Sequence, residues 1–83
     1  MECRILACER EVFSGEVQGV YARGMEGWFG VLSGHAPAVF ALANAPVRLV
    51  TEQGERTYRV KGGLVHVRRD GVVILADEVT EGA

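Results

Sequence analysis

Apolar and polar residues alternate with a period of two along much of this chain, a pattern that indicates half-buried β-strands rather than helices. Within residues 16–22, for example, Val17 and Tyr21 fall on one face and Val20 falls on the other. The first half of the chain is therefore predicted to form strands over residues 2–8, 12–13, 16–22 and 28–32, with a polar turn at 9–11 and another turn at 14–15.

Two hairpins are predicted in the second half of the chain, each from a two-residue turn that contains glycine. The first joins residues 47–52 to 55–61 across Gln53-Gly54, and the second joins 64–69 to 72–78 across Asp70-Gly71. Gly62-Gly63 lies between the hairpins and is predicted to form a bulge or a corner.

The secondary structure of two apolar segments is harder to predict. Residues 38–45 fit either a helical turn or a strand, because alanines mix there with Val39 and Phe40, which favour an extended chain. Residues 72–76 are apolar at successive positions, as expected for a strand that is covered on both faces or that lies where a sheet edge is wrapped.

The stretch 24–37, G-M-E-G-W-F-G-V-L-S-G-H-A-P, carries glycine at positions 24, 27, 30 and 34. Each glycine costs about 1 kcal/mol relative to alanine inside a helix, so four of them disfavour a helix here. We predict an exposed turn at residues 24–27, a strand at 28–32 and a rigid loop at 33–37.

Large apolar side chains in and near this stretch allow two interpretations each. Met25 and Trp28 lie at the tip of the turn, where they form either a contact point for a partner or a plug over the end of the domain. His35 and Phe40 flank the loop, where they form either an internal buttress or part of a docking surface.

Short strands joined by glycine turns at this density predict an all-β fold, either a two-sheet antiparallel sandwich or a flattened barrel of about ten short strands. The chain has 83 residues, the length of one domain, which we predict to span residues 1–83. It contains no internal repeat, linker or low-complexity tract.

The charge of the chain excludes several kinds of partner. The net charge is −2 with both signs interspersed, which argues against nucleic acid and against lipid binding through a polybasic segment. No apolar run approaches the roughly 18 residues of a membrane-spanning helix, and the N-terminus lacks the apolar core of a signal peptide. We therefore expect a cytoplasmic protein that does not insert into lipid.

The cysteines, Cys3 and Cys8, cannot form a disulfide if residues 2–8 are a strand. Their Cα atoms would lie about 16 Å apart at roughly 3.3 Å per residue. A disulfide needs Cα atoms within about 7 Å of each other. We expect one buried cysteine and one partly exposed thiol.

Candidate catalytic groups are few. Serine occurs only at 14 and 33 and histidine only at 35 and 66, and G-V-L-S-G-H does not match the G-x-S-x-G elbow of hydrolases. The cysteines and histidines lack the spacing of a structural zinc site, and no phosphate-binding glycine motif precedes a helix. The aromatic residues Tyr21, Trp28, Phe29 and Tyr58 are too few and too scattered to predict a base-stacking platform. We predict no catalytic, cofactor-binding or metal-binding residue and no small-molecule substrate.

Four sequence blocks occur in a characteristic order: E-V-F-S-G at 11–15, G-x-E-G-x-F-G-V-L-x-G-H-A-P at 24–37, G-G-L-V-H-V at 62–67 and V-I-L-A-D at 73–77. Together they resemble the N-terminal β-sandwich domain of the epsilon subunit of F-type ATP synthase, the mitochondrial delta counterpart. The resemblance extends over nearly the whole chain, and its most specific block is G-H-A-P with the glycines that precede it.

This resemblance implies two packed antiparallel sheets and a place in the central stalk of a rotary ATP synthase. In that family the sandwich docks against the gamma subunit on one side and rests on the polar loops of the c-ring. It catalyses nothing itself, but it helps to couple ion-driven rotation to ATP synthesis as a peripheral protein on the cytoplasmic face of the energy-transducing membrane. By motif position, Met25, Glu26, Gly27 and Trp28 are expected to face the c-ring, and Ala7, His35 and Phe40 to face gamma.

Two departures from the family pattern change these expectations. Many members carry a carboxylate at the position of Trp28, so apolar packing or the neighbouring Glu26 must replace a charged contact with the c-ring. Members also usually continue into a C-terminal helical hairpin that inhibits ATP hydrolysis in several of them and binds ATP in some, whereas this sequence stops at Ala83. A short form is expected to assemble and couple without inhibiting through those helices, and strong ATPase inhibition in a reconstituted enzyme would contradict this.

Two other classes of function stay open on the sequence alone. A free-standing β-sandwich adaptor would share the fold and bind an unrelated protein, and co-purification with gamma would distinguish it from a rotor subunit. A small Ser- or Cys-dependent enzyme would turn over an ester or thiol substrate and lose that activity on Ser33→Ala or Cys8→Ala.

Overall fold

The computed structural model describes residues 1–82, which form eight β-strands and no helix. The strands are β1 (Glu2–Ala7), β2 (Arg10–Glu16), β3 (Gly19–Gly24), β4 (Gly27–Leu32), β5 (Ala38–Leu42), β6 (Ala45–Thr51), β7 (Gly54–Arg68) and β8 (Gly71–Glu81). The prediction of an all-β fold is confirmed. Ala83, the predicted end of the domain, lies outside the described residues.

The strands form two layers, and the long strands β7 and β8 contribute to both. The first layer runs β2-β1-β8-β7-β5, and the second runs β4-β3-β6-β7-β8. All strand pairs are antiparallel except β1 with β8, which is parallel. Since β7 and β8 supply one segment to each layer, the eight strands give ten segments, which corresponds to the predicted count of about ten.

Gly62 explains why one strand replaces the two strands predicted on either side of it. Its φ of +59° bends β7 without ending it, and its N–H donates a hydrogen bond to Oδ1 of Asn44 at 2.7 Å. The next residue, Gly63, lies so close to β8 that an added Cβ would be 2.3 Å from the carbonyl oxygen of Leu75. The predicted corner is thus confirmed, as a bend inside a continuous strand.

The two predicted hairpins are present, but their glycines begin the returning strands instead of ending the turns. Thr51 pairs with Gly54, and Arg68 pairs with Gly71. A glycine is needed inside β8 because an added Cβ at Gly71 would lie 2.5 Å from the carbonyl oxygen of Glu2 on β1.

Other strand boundaries differ from the prediction for local reasons. Cys8 has a φ of +53° and forms a turn with Glu9, so β1 ends before it and β2 begins at Arg10. The predicted turn at 9–11 is therefore present only at its first residue, and β2 extends through the predicted turn at 14–15. β3 begins only at Gly19, later than predicted. Of the ambiguous residues 38–45, the first five form strand β5, which pairs along β7, and the last one begins β6.

The core is apolar and continuous between the two layers. Alternate residues of the strands point into it, and its largest fully buried side chains include Tyr58, Ile5, Leu49 and Ile74. Within residues 1–82 no polar or charged residue is buried with them. The domain therefore closes its own core, which leaves the outer faces available for other contacts.

The two cysteines differ in exposure, as predicted. Cys3 is fully buried, Cys8 is exposed, and both are free thiols. Burial raises the pKa of Cys3 from 9.0 to about 12. Between these two pH values the unfolded chain loses this proton while the folded chain keeps it, so stability falls as the pH rises through that range.

Thiol labelling tests this difference. Because the thiolate is the reactive form, we expect iodoacetamide at pH 8 to modify Cys8 in the native chain and to modify Cys3 only after unfolding in urea. Mass spectrometry counts the labels, and Cys8→Ser should remove the fast reaction. Rapid double labelling of the native chain would contradict the burial of Cys3.

Candidate protein-docking surface

The hairpin between β3 and β4 carries the four residues predicted to face the c-ring. Gly24 pairs with Gly27, which leaves Met25 and Glu26 at the tip and Trp28 directly after it. The φ of +130° at Gly27 is a backbone conformation that other residues rarely adopt. Met25 is 74% exposed and Trp28 is 63% exposed, so Trp28 is not a plug over the core. We call Met25, Glu26, Gly27 and Trp28 the tip turn.

Phe40 and His35, both predicted to face gamma, pack along one edge of the domain. The Phe40 ring stacks on Phe29 with the centroids 4.5 Å apart, and the His35 ring meets Phe40 edge-on at 6.2 Å. Nδ1 of His35 lies 2.6 Å from the carbonyl oxygen of Ala36, as in a ring N–H that donates to it. Both side chains are half-buried, so they act as an internal buttress. Their contact with gamma stays a prediction.

A correction is needed at Ala7, the third residue predicted to face gamma. Its side chain is only 5% exposed and belongs to the core. Alternation along β1 turns the neighbouring Leu6 outward instead, where it is half-buried. The Ala7 side chain is therefore unavailable to a partner, and the outer surface at this point is formed by Leu6.

A row of apolar side chains that was not predicted as a contact site crosses the outer face of the first layer. Leu6 pairs with Leu75, Leu75 with Leu64, and Leu64 with Ala41, on four neighbouring strands. Leu64 is 36% exposed and Leu75 is 42% exposed. We call these four residues the leucine strip. The apolar run 72–76 was the sequence feature that could have predicted the leucine strip. Its outer face was expected to be covered, but the rest of the described chain leaves that face open.

The leucine strip and the tip turn meet at Ala41. The N–H of Met25 donates a hydrogen bond to the carbonyl oxygen of Ala41 at 3.2 Å. Val39, on the same face of β5, is 63% exposed and widens the apolar surface. Fully burying an exposed leucine side chain contributes about 1.5–3 kcal/mol, and Leu64 and Leu75 are already more than half buried. A partner that covers this surface therefore gains a fraction of that amount from each leucine, before the cost of association. Contiguous exposed apolar surface of this kind is typical of a protein-docking site.

No cluster of metal-binding side chains accompanies this surface in the described part of the chain. Among residues 1–82, no three His, Cys, Asp or Glu side chains are grouped so that they could hold a metal ion. A search of the same residues for a helix long and apolar enough to cross a bilayer also finds none. The chemistry that the surface itself offers is apolar contact with an exposed carboxylate, Glu26, at one end.

Residues 1–82 match the family model described as ATP synthase, Delta/Epsilon chain, beta-sandwich domain. This chain belongs to that family. The resemblance drawn from the four sequence blocks is thereby confirmed, and so is the sandwich fold, with β1 and β8 as its one parallel pair.

A curated relative within the delta/epsilon family is the ATP synthase epsilon chain of Chromohalobacter salexigens. It is 41% identical over 80 residues, which cover 95% of this chain and 57% of that protein. The chain therefore spans a little over half the length of this relative.

Solved structures show the same delta/epsilon fold. One is a chain of the Euglena gracilis mitochondrial ATP synthase, solved in its OSCP/F1/c-ring assembly in rotational state 1. It superposes with a TM-score of 0.88 and is 28% identical, and the match covers 95% of this chain and 51% of that chain. A chain of the Tetrahymena thermophila mitochondrial ATP synthase, in its central stalk and c-ring, superposes with a TM-score of 0.78 at 16% identity over 95% of this chain and 64% of that chain. At that identity the Tetrahymena chain shows the fold alone.

Proposed function

We propose that this chain is a non-catalytic rotor subunit of an F-type ATP synthase, where it joins the gamma subunit to the c-ring in the central stalk. The observation that carries the proposal is the family match over residues 1–82. The Euglena relative belongs to an assembly that contains F1 and a c-ring, which supports the same role here. Residues 1–83 form the docking domain, peripheral on the cytoplasmic face of the energy-transducing membrane, and couple rotation to synthesis without a cofactor.

The leucine strip is the surface that we assign to gamma. It is apolar and exposed, and it crosses four strands of a rigid sheet, so a partner can cover it without rearranging the domain. Leu6, and not Ala7 as expected from the sequence, is the β1 residue that we assign to the contact with gamma. His35 and Phe40 hold the adjoining edge in shape and border this contact.

The tip turn is the surface that we assign to the c-ring. Trp28 supplies apolar area where many family members carry a carboxylate, and Glu26, exposed at the tip, supplies a carboxylate two residues earlier. The hydrogen bond between Met25 and Ala41 ties the turn to β5, which also carries one end of the leucine strip. A force that the c-ring applies to the tip turn is therefore transmitted directly to β5, the strand beside the gamma contact.

A pull-down with detergent-solubilised c-ring, with and without gamma, tests this assignment. We expect Trp28→Ala to reduce capture of the c-ring about tenfold, since truncating a large interface aromatic typically costs more than about 1 kcal/mol, and to leave capture of gamma unchanged. Leu32→Ala is the matched control, because Leu32 is also exposed on β4 but at its other end. Equal capture by Trp28→Ala and the unchanged chain would contradict the c-ring contact. Failure to capture gamma in any form would favour the free-standing adaptor.

A further inference from the structure

The outer face of the second layer carries a groove of about 580 Å³, on the side of the sandwich away from the leucine strip. Its floor is a row of directly opposite residues on four neighbouring strands, Gly30, Tyr21, Arg48 and Thr57. Trp28 and Pro46 line it at one side. We call this concave surface the aromatic groove.

Glycines shape the floor of the aromatic groove. An added Cβ at Gly30 would lie 2.8 Å from the Tyr21 ring, and one at Gly19 would lie 3.3 Å from it. The ring therefore lies directly on the sheet, in space that other residue types would fill. The guanidinium carbon of Arg48 lies 4.9 Å from the centroid of this ring, within the range of a cation–π contact.

Arg48 is held in position, and its ion pair with Glu55 is long. Its Nε lies 3.7 Å from Oε1 of Glu55, whereas the Arg4–Glu11 pair on the first layer closes to 2.9 Å. Arg48 and Glu55 are both about half exposed, and such surface pairs contribute little. The guanidinium thus retains donors for a carboxylate that arrives from outside, for which its planar fork is suited.

Positive charge surrounds the aromatic groove on a chain whose net charge is −2. Arg23 is opposite Trp28, Arg59 is opposite Pro46, and both arginines are exposed. With Arg48 they place three cations along one side of the domain, against the carboxylate of Glu55. This local excess favours an acidic ligand over a neutral or basic one.

We propose that the aromatic groove binds an extended acidic segment of a partner protein, in which an Asp or Glu stands next to an aromatic or prolyl residue. The carboxylate accepts two hydrogen bonds from Arg48, and the neighbouring ring packs against Trp28 and Tyr21. The groove is open along the sheet, which suits an extended chain. The site does not depend on the stalk role, although Trp28 contributes to both surfaces.

Trp28 makes the test direct, because it is the only tryptophan in the chain and its fluorescence reports on the groove. The probe is the synthetic peptide acetyl-Gly-Asp-Phe-Glu-Pro-Glu-Gly-amide, titrated into the isolated 83-residue chain. We expect a saturable change in emission. The analogue with Asn and Gln in place of Asp and Glu should bind at least about tenfold more weakly, since hydrogen bonds to charged groups contribute about 1.5–3 kcal/mol.

Two arginine variants locate the binding. Arg48→Gln should weaken the acidic peptide by at least about tenfold, whereas Arg68→Gln, exposed on the first layer, should change it by less than about twofold. Circular dichroism verifies that both variants keep the β fold. The proposal is overturned if the acidic peptide leaves the emission unchanged at millimolar concentration, if the amide analogue binds equally well, or if both arginine variants lose the same affinity. Because gamma and the c-ring are absent, these outcomes say nothing against the stalk role.

Discussion

Leu75→Asp is expected to weaken the binding of this chain to gamma by about 100-fold. Leu75 lies between Leu6 and Leu64 at the centre of the leucine strip and is 42% exposed. The substitution removes an apolar contact and places a carboxylate where the partner would exclude water. Central interface positions of this kind cost about 2–4 kcal/mol when they are disrupted, and about 2.8 kcal/mol corresponds to the stated loss.

Calorimetric titration with purified gamma measures this effect. Thr80→Asp is the matched control, because Thr80 is exposed on the same strand but lies in the half of β8 that belongs to the second layer. Since Leu75 is partly exposed, the variant should keep the fold, and its melting temperature verifies this. The gamma assignment is wrong if Leu75→Asp binds as tightly as the unchanged chain, or if Thr80→Asp loses as much affinity.

Gly63→Ala is expected to destabilise the domain by about 3 kcal/mol, the upper part of the range for overpacking. The added Cβ would lie 2.3 Å from the carbonyl oxygen of Leu75 and 3.0 Å from the Cα of Ala76. These are backbone atoms of β8, so no side-chain rotation relieves the clash, and two strands must separate. For a domain of this size the melting temperature should fall by about 12 °C or more.

Gly15→Ala is the control for this prediction. An added Cβ at Gly15 would meet only the Phe13 ring, at 3.4 Å, which is an ordinary contact with a side chain that can move. Thermal unfolding followed by circular dichroism compares the two variants. A melting temperature for Gly63→Ala within a few degrees of that for Gly15→Ala would show that β7 and β8 are not as tightly apposed as the structure has them.

The tip turn shows how much of the site was predictable from the sequence. Four glycines in residues 24–37 disfavoured a helix and indicated a turn, and the turn is present with Met25 and Trp28 exposed. Whether Trp28 pointed outward could not be predicted. The direction of the Trp28 side chain depends on whether other side chains already fill the end of the core. Phe29 and Phe40 fill the adjoining edge.

Ala7 and Leu6 show where an assignment from position along a strand fails. Neighbouring strand residues point to opposite faces, so an error of one residue exchanges a buried side chain for an outward one. The exact end of β1 is fixed by the left-handed turn at Cys8, where the residue type gives little warning. The side chain that points outward at this place on β1 therefore lies one residue away from the predicted one.

The period-two pattern and the glycine turns were enough to predict an all-β domain and its hairpins, and the four sequence blocks were enough to indicate its family, because each is a property of residues close together in the chain. Only the tertiary structure decided that Leu6, Leu64 and Leu75 form one strip, and that Tyr21, Trp28 and Arg48 line one groove. These groupings join residues from distant strands, and their register depends on packing of the whole core at once. The bend at Gly62 carries β7 from one layer into the other, and the leucine strip and the aromatic groove both depend on it. No local sequence pattern specifies which strands will lie beside β7 on either side of that bend.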